Sequence, residues 1–174
     1  MLFNKVKQKI KDTISDMHEV QDARSRIGFM FMLPTTKEVR DGVKIVVDND
    51  LVAGKCGISN RMPGGFFTIF GGEKYIVVNE NAYEGPHRES IIAHELHHAK
   101  YHYDRIEGQN TTLYCIQAIF GFGDGIALEY EADEGALRSC GHGYLDFLLE
   151  AYKGCTTPAL ALRIRRIKKL INNA

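Results

Sequence analysis

The spacing of apolar residues along the chain predicts a mixed α+β domain. Residues 2–24 carry apolar side chains at three- or four-residue steps, which predicts an amphipathic helix. Short runs rich in β-branched and aromatic residues predict strands at 43–47, 65–70 and 75–79. The last two runs are joined by Gly71-Gly72-Glu73-Lys74, a segment typical of a hairpin turn. The pattern therefore predicts a small antiparallel three-stranded sheet.

A longer helix is predicted from about residue 86 to residue 103. Pro86 suits the first position of a helix, because proline loses no helical hydrogen bond there and its φ is already helical. No glycine or proline follows until Gly108. Two apolar stripes run along this helix, so we expect it to be mostly enclosed and to pack against the sheet.

This helix contains the sequence His94-Glu95-Leu96-His97-His98. In a helix, residues four apart lie one turn apart on the same face, so His94 and His98 can bind one divalent cation together. Glu95 would then lie beside the open coordination position, where a water molecule needs a base. The motif thus predicts a metal site with a catalytic function.

A second helix, predicted over residues 126–140, offers the acidic residues that would complete the site. Glu129 and Asp133 are again four residues apart and share a face. One carboxylate can complete a two-histidine, one-glutamate zinc set, and the next can accept the free N–H of a ligand imidazole. We therefore expect Glu129 to be the third ligand and Asp133 to orient a ligand histidine.

Other residues near these helices are weaker candidates. The longer zinc-protease pattern would require glycine and histidine where the chain has Tyr101 and Asp104, so that class is excluded. His102 lies one turn beyond His98, but three ligands along one straight helix cannot converge on a tetrahedral centre. Glu131 and Glu134 are expected to be solvated.

From these candidate ligands and Glu95 we put forward the hypothesis that the protein hydrolyses peptide bonds with the help of a metal ion. Zinc would activate a water molecule, and Glu95 would take its proton and pass it to the leaving amine. Either Tyr144 or Tyr152 is expected to stabilise the oxyanion. The alternative function is a metal-stabilised binding protein that sequesters a regulator without cleaving it. A closed structural site usually has four protein ligands, whereas this motif supplies three and adds an acidic residue.

Several segments, taken in order, resemble the ImmA/IrrE family of zinc metallopeptidases over roughly residues 40 to 140. The third-ligand segment is equally similar to that of the small soluble zinc peptidases called minigluzincins. Both resemblances imply a zincin-like fold, the ligands His94, His98 and Glu129, and Glu95 as the catalytic base. The first also implies a substrate that is a regulatory protein, such as a transcriptional repressor. The matching segments are Tyr75-Ile76-Val77-Val78-Asn79, Arg88, Ile92-Ala93-His94-Glu95-Leu96-His97-His98, His102 and Glu129-Tyr130-Glu131-Ala132-Asp133-Glu134.

The length and the charge limit the remaining possibilities. The 174 residues suit one domain, 1–174, and 22 basic residues balance 22 acidic ones. No overall field favours nucleic acid or a membrane. The most apolar stretch, residues 111–128, is interrupted by Gln117, Asp124 and glycines, which argues against a membrane span. No signal peptide is recognised at the start, so we expect a cytoplasmic protein.

The basic residues near the end of the chain predict one more amphipathic helix. Its apolar positions are Leu160, Ile164, Ile167 and Ile171. The basic residues between them are expected to form a solvated face. These basic residues are Arg163, Arg165, Arg166, Lys168 and Lys169.

Overall fold

Within the described residues the strands come before the helices, and the mixture agrees with the predicted α+β class. The computed structural model describes residues 35–49, 52, 65–70, 72–107, 117–118, 120–154 and 157–173. The strands are β1 (Thr36–Arg40), β2 (Val43–Val47), β3 (Gly65–Phe70) and β4 (Glu73–Val78). The helices are α1 (Glu80–Glu84), α2 (Arg88–His97), α3 (Tyr103–Glu107), α4 (Gly123–Cys140), α5 (His142–Gly154) and α6 (Pro158–Asn172), and a π-helical turn, His98–His102, joins α2 to α3. The predicted helix over 2–24 lies outside the described residues.

The sheet differs from the predicted one in size and in direction. Its strand order is β1-β2-β4-β3, so β1 adds a fourth strand to the three that were predicted. The β1–β2 and β3–β4 pairs are antiparallel, as a hairpin requires, but β2 and β4 are parallel. The prediction of an antiparallel three-stranded sheet was therefore wrong in these two respects. β3 lies between β2 and β4 in the sequence and runs opposite to both, so it returns the chain to the end of the sheet where β4 begins, and β4 then runs parallel to β2.

The two central strands bury both of their faces. Ile45 and Ile76 are fully buried in the core that the helices cover. Their neighbours Val46 and Val77 point to the opposite face, where they pack with Val52 in a second buried cluster. Strands buried on both faces carry runs of apolar residues, here 45–47 in β2 and 75–78 in β4, which explains why both were recognised in the sequence.

The sheet leads directly into α2. Asn79 follows β4 directly and caps α1, because its side-chain Oδ1 accepts a 2.7 Å hydrogen bond from the backbone N–H of Ala82. Helix α2 then packs on β3 and β4 and buries Ile92 completely. The helix predicted from about 86 to 103 is confirmed, although its last turns widen into the π-helical turn.

Helix α4 packs closely along α2 at Gly135. A Cβ atom built at Gly135 would lie 2.1 Å from Nδ1 of His97, which is too close for any side chain to fit. The helix ends at Gly141, whose φ of 58° lies in the left-handed region that favours glycine. The helix predicted over 126–140 is thus confirmed and begins a few residues earlier.

Among the described helices, none has both the length and the apolar character that crossing a bilayer requires.

Replacing Gly135 by alanine should test the close contact between α2 and α4. We expect a loss of about 1–2 kcal/mol in the free energy of unfolding, because the imidazole of His97 must move out of its contacts with Tyr101 and His102. The measurement is urea denaturation, and the matched control is Gly143→Ala, since a Cβ there meets no atom within 4 Å. His97→Ala should relieve the loss in the double variant. An unchanged stability of Gly135→Ala would contradict this packing.

Candidate metal centre

Three side chains from α2, the π-helical turn and α4 converge on one point. Nε2 of His94 lies 3.1 Å from Nε2 of His98, and the carboxylate oxygens of Glu129 lie 3.3 Å and 3.4 Å from these two nitrogens. A cation held tetrahedrally by bonds of about 2.0–2.1 Å separates its ligand atoms by about 3.3–3.4 Å. Each histidine nitrogen faces a different oxygen of Glu129, Oε2 and Oε1, at about this separation, and this buried group could hold a metal ion.

The local structure explains why these atoms meet. His94 and His98 are one helical turn apart and both are buried, with 7% and 4% of their surface exposed. Glu129 reaches them from α4 because Gly135 and the fully buried Ala132 let that helix approach α2 closely. The side chain of Glu129 is 14% exposed, so the cluster lies at the edge of the core and not at its centre.

The imidazole of His94 is held from behind by Asp133 and Tyr144. Nδ1 of His94 lies 3.2 Å from Oδ1 of Asp133 and 3.0 Å from the hydroxyl of Tyr144. Tyr144 in turn donates a short hydrogen bond to the same Asp133 oxygen. Asp133 is thus where the sequence analysis expects it, on the side of the ring away from Nε2. Such partners fix the orientation and the tautomer of a metal-binding histidine.

The imidazole of His98 is held by a series of two hydrogen bonds that the sequence analysis did not predict. Its Nδ1 lies 2.9 Å from Nδ1 of His102, and Nε2 of His102 lies 3.0 Å from Oε2 of Glu131. A metal on Nε2 of His98 would place the proton on its Nδ1, which would then donate to His102. His102 would donate from Nε2 to the carboxylate of Glu131. This series of hydrogen bonds therefore ends at the charged carboxylate of Glu131, whose Oε2 also lies 3.3 Å from Nη1 of Arg105.

Two predictions about this neighbourhood need correction. Tyr144 is fully buried and contacts the side of His94 that faces away from the cluster, so it is not placed to stabilise an oxyanion there. The side chain of Tyr152 lies outside the described part of the structure. Glu131 was expected to be solvated, and although it is half exposed, it pairs with the completely buried His102.

Arg163 was expected on the solvated face of α6, but its side chain is only 13% exposed and enters the cluster. Its Nη1 lies 3.0 Å from Oε2 of Glu129, and its Nε and Nη2 donate hydrogen bonds of 2.8 Å and 2.6 Å to the two oxygens of Asp133. The sequence did indicate that the side chain of Arg163 faces inward. Position 163 lies three residues after Leu160 and four before Ile167, so it belongs to the apolar stripe of the helix. The rest of that prediction is confirmed, because Arg165, Arg166, Lys168 and Lys169 are exposed.

The pKa values of the cluster follow from this charge arrangement. Burial lowers the pKa of His94, but the hydrogen bonds with Asp133 and Glu129 outweigh it and raise the pKa to about 9. Burial raises the pKa values of Glu129 and Asp133, yet the charge of Arg163 brings both below their usual ranges. For His102, burial and the neighbouring His98 lower the pKa to about 4. His102 is therefore neutral at pH 7, as the hydrogen-bond chain requires.

Glu95 lies beside the edge strand β3. A Cβ atom built at Gly65, the first residue of β3, would lie 3.7 Å from Cγ of Glu95 and 2.7 Å from Cγ2 of Ile91. The second distance is too short for a side chain, so glycine allows the backbone of β3 to approach α2 at this point. Glu95 is therefore adjacent both to His94 in sequence and to a terminal strand of the sheet in space.

A groove on another face of α2 has no part in this cluster. It is lined by Ala93, Leu96 and Lys100 of α2 and its continuation, and by Glu134 and Arg138 of α4. His94, His98 and Glu129 do not line it. Glu131, which pairs with His102, does line it, so the groove borders the support of His98 but not the three side chains of the cluster.

Comparisons with protein-family models, with curated proteins and with solved structures return no match to this chain. The resemblance to ImmA/IrrE metallopeptidases stays a prediction, and the case for the site depends on its geometry.

The affinity of the cluster for a metal should increase with pH. With a pKa of about 9, His94 is protonated at neutral pH in the metal-free protein, and its Nε2 must lose a proton to bind a cation. We expect the apparent affinity for Zn²⁺ to rise about tenfold per pH unit between pH 6 and pH 8. Competition with a chromophoric chelator, corrected for the protons that the chelator binds, measures it. An affinity that does not change over this range would contradict the assigned protonation.

Removal of His102 should weaken metal binding without removing a ligand. We expect His102→Ala to reduce the affinity for Zn²⁺ by about 10- to 100-fold, because Nδ1 of His98 loses the group that orients its ring. The control is His97→Ala, which changes a neighbouring imidazole that contacts His102 but not the cluster. Circular dichroism should verify that both variants are folded. Equal affinities of the two variants would exclude an orienting role for His102.

Proposed function

We propose that this protein is a zinc-dependent metallopeptidase. The observation that carries the proposal is the convergence of His94, His98 and Glu129 at 3.1–3.4 Å from one another, with Glu95 next to the first ligand. Two imidazoles and one carboxylate are a donor set typical of catalytic zinc, whose bonds of about 2.0–2.2 Å match these separations. A mixed sheet beside the motif-bearing helix supports a zincin-like fold.

The donor set favours a catalytic site over a structural one. Within the described part of the chain, three side chains make up the cluster, whereas structural zinc sites usually have four protein ligands. A fourth position would remain for water or substrate. The hydrogen bonds to the two histidines also favour zinc. The Nδ1 atoms of both His94 and His98 have partners that would hold the rings for coordination through Nε2.

The chain would then contribute proton transfer and orientation to the reaction. Zinc bound at the cluster would polarise a substrate carbonyl and lower the pKa of water toward about 7. The carboxylate of Glu95 would accept a proton from that water and deliver it to the nitrogen of the leaving amine. Asp133 and His102 would keep the two ligand imidazoles in the required orientation.

The sheet supports an extended polypeptide as the substrate. β3 is the last strand in the order β1-β2-β4-β3, so one of its edges has no neighbouring strand among the described residues. An extended peptide could add to such an edge through main-chain hydrogen bonds. Because β3 begins beside Glu95, a peptide bound there would pass close to the cluster. From the resemblance to the ImmA/IrrE family, we propose a regulatory protein such as a transcriptional repressor as the substrate.

Replacing Glu95 by glutamine tests the mechanism directly. We expect Glu95→Gln to retain zinc but to lose at least about 100-fold in kcat/KM for peptide hydrolysis, because the amide cannot accept the proton. Zinc content is measured by elemental analysis, and activity by cleavage of an unstructured protein such as casein and of any repressor encoded beside the gene.

The matched control is Glu89→Gln on the same helix. The side chain of Glu89 is 59% exposed and pairs with Arg40 and Arg88 at the surface. The Glu89→Gln variant should therefore leave the peptidase activity unchanged. Full peptidase activity in Glu95→Gln would refute the proposed mechanism. Zinc-loaded wild-type protein that binds a repressor without cleaving it would instead identify a sequestering protein.

A further inference from the structure

Arg163 places a permanent positive charge against two buried carboxylates. The guanidinium contacts Glu129 through Nη1 and both oxygens of Asp133 through Nε and Nη2. Nη2 also lies 3.3 Å from the hydroxyl of Tyr144. Because guanidinium does not lose its proton in proteins, this charge is present at every physiological pH. The residue belongs to α6, whereas both carboxylates belong to α4.

The carboxylate oxygen that Arg163 contacts is one that faces the metal position. Oε2 of Glu129 lies 3.0 Å from Nη1 of Arg163 and 3.3 Å from Nε2 of His94. A cation bound between the histidines and Glu129 would therefore share this carboxylate with the guanidinium. Two positive charges beside one carboxylate repel each other, and the repulsion is stronger in a buried site than in water.

We propose that Arg163 is the resident counter-ion of this cluster. It compensates Glu129 and Asp133 in the metal-free protein, so that the ligand carboxylate stays in place, and it lowers the affinity for metal by competing for the charge of Glu129. The inference rests on the metal site of the proposed function and does not depend on peptidase activity.

If Arg163 is a counter-ion, its removal should change the affinity for metal in the opposite direction from the removal of a residue that orients a ligand. A residue that only orients a ligand would, when removed, weaken metal binding by about 10- to 100-fold. Removal of a competing positive charge should strengthen binding. The affinity of an Arg163 variant for metal therefore separates the two roles, and a residue that served packing alone would leave the affinity unchanged.

The experiment compares Zn²⁺ affinities of the full chain at one pH by chelator competition. We expect Arg163→Met to bind Zn²⁺ at least about tenfold more tightly than the wild type. Arg163→Lys keeps the charge and should remain closer to the wild type than to the methionine variant. The control is Arg166→Met, which removes a cation three residues further along α6 that pairs with Glu134 outside the cluster and should leave the affinity unchanged. Equal or weaker binding by Arg163→Met would overturn the proposal.

A second comparison covers the case in which Arg163→Met does not fold without metal. The triple variant Glu129→Gln/Asp133→Asn/Arg163→Met removes both carboxylates that Arg163 contacts together with their counter-ion. Recovery of cooperative thermal unfolding in the metal-free triple variant would support the role of counter-ion. If the triple variant also failed to fold, the proposal would be refuted.

The outcomes also separate this proposal from the proposed function. A wild-type protein that binds no Zn²⁺ would refute the metal site and the competition together. A wild-type protein that binds Zn²⁺ and shows the expected change in Arg163→Met, but hydrolyses no peptide, would refute only the peptidase function.

Discussion

A buried network of opposite charges joins three helices and determines how they sit against one another. His94 comes from α2, Glu129 and Asp133 come from α4, and Arg163 comes from α6. Removing charged groups from water is unfavourable unless each finds an oppositely charged or hydrogen-bonded partner. A rotation of α6 or α4 would separate these groups, and breaking a buried pair costs about 3–5 kcal/mol, a large share of the 5–15 kcal/mol typical of a whole domain. The network thus opposes movement of these helices, and the convergence of His94, His98 and Glu129 on one candidate metal position is a consequence of it.

The fold could be predicted from the sequence where one element carries its own signal. β2 and β4 each contain an apolar run, residues 45–47 and 75–78, and α4 ends at a glycine with positive φ. β1 could not be found in this way, because its side chains are exposed or partly buried and show no apolar alternation. β2 and β4 are parallel because β4 lies between β2 and β3 in the sheet, and local periodicity does not record this order of the strands. These two limits account for the missed strand and for the parallel pair.

The residues of the site also divide into those that local spacing could pair and those that only the packing of helices brings together. His94 with His98 and Glu129 with Asp133 could be paired from spacing, because residues four apart share a helical face. The contacts of His102 with Glu131 and of Arg163 with Glu129 join residues about 30 positions apart, and only the packing of helices brings them together. Arg163 was nevertheless detectable in principle. A charged residue within an apolar stripe must find a partner inside the core, and acidic residues on another helix are the natural partners.

The core packing also determines how a substrate strand could approach the site. Gly65 allows the backbone of β3 to contact Ile91, a residue that is 4% exposed and belongs to the main core. The same approach brings β3 beside Glu95, which is one turn further along the helix. Any residue larger than glycine at position 65 would push the strand away from the helix and away from Glu95 together. For the proposed peptidase, the distance between a peptide paired with β3 and the catalytic base is therefore set by a contact within the hydrophobic core.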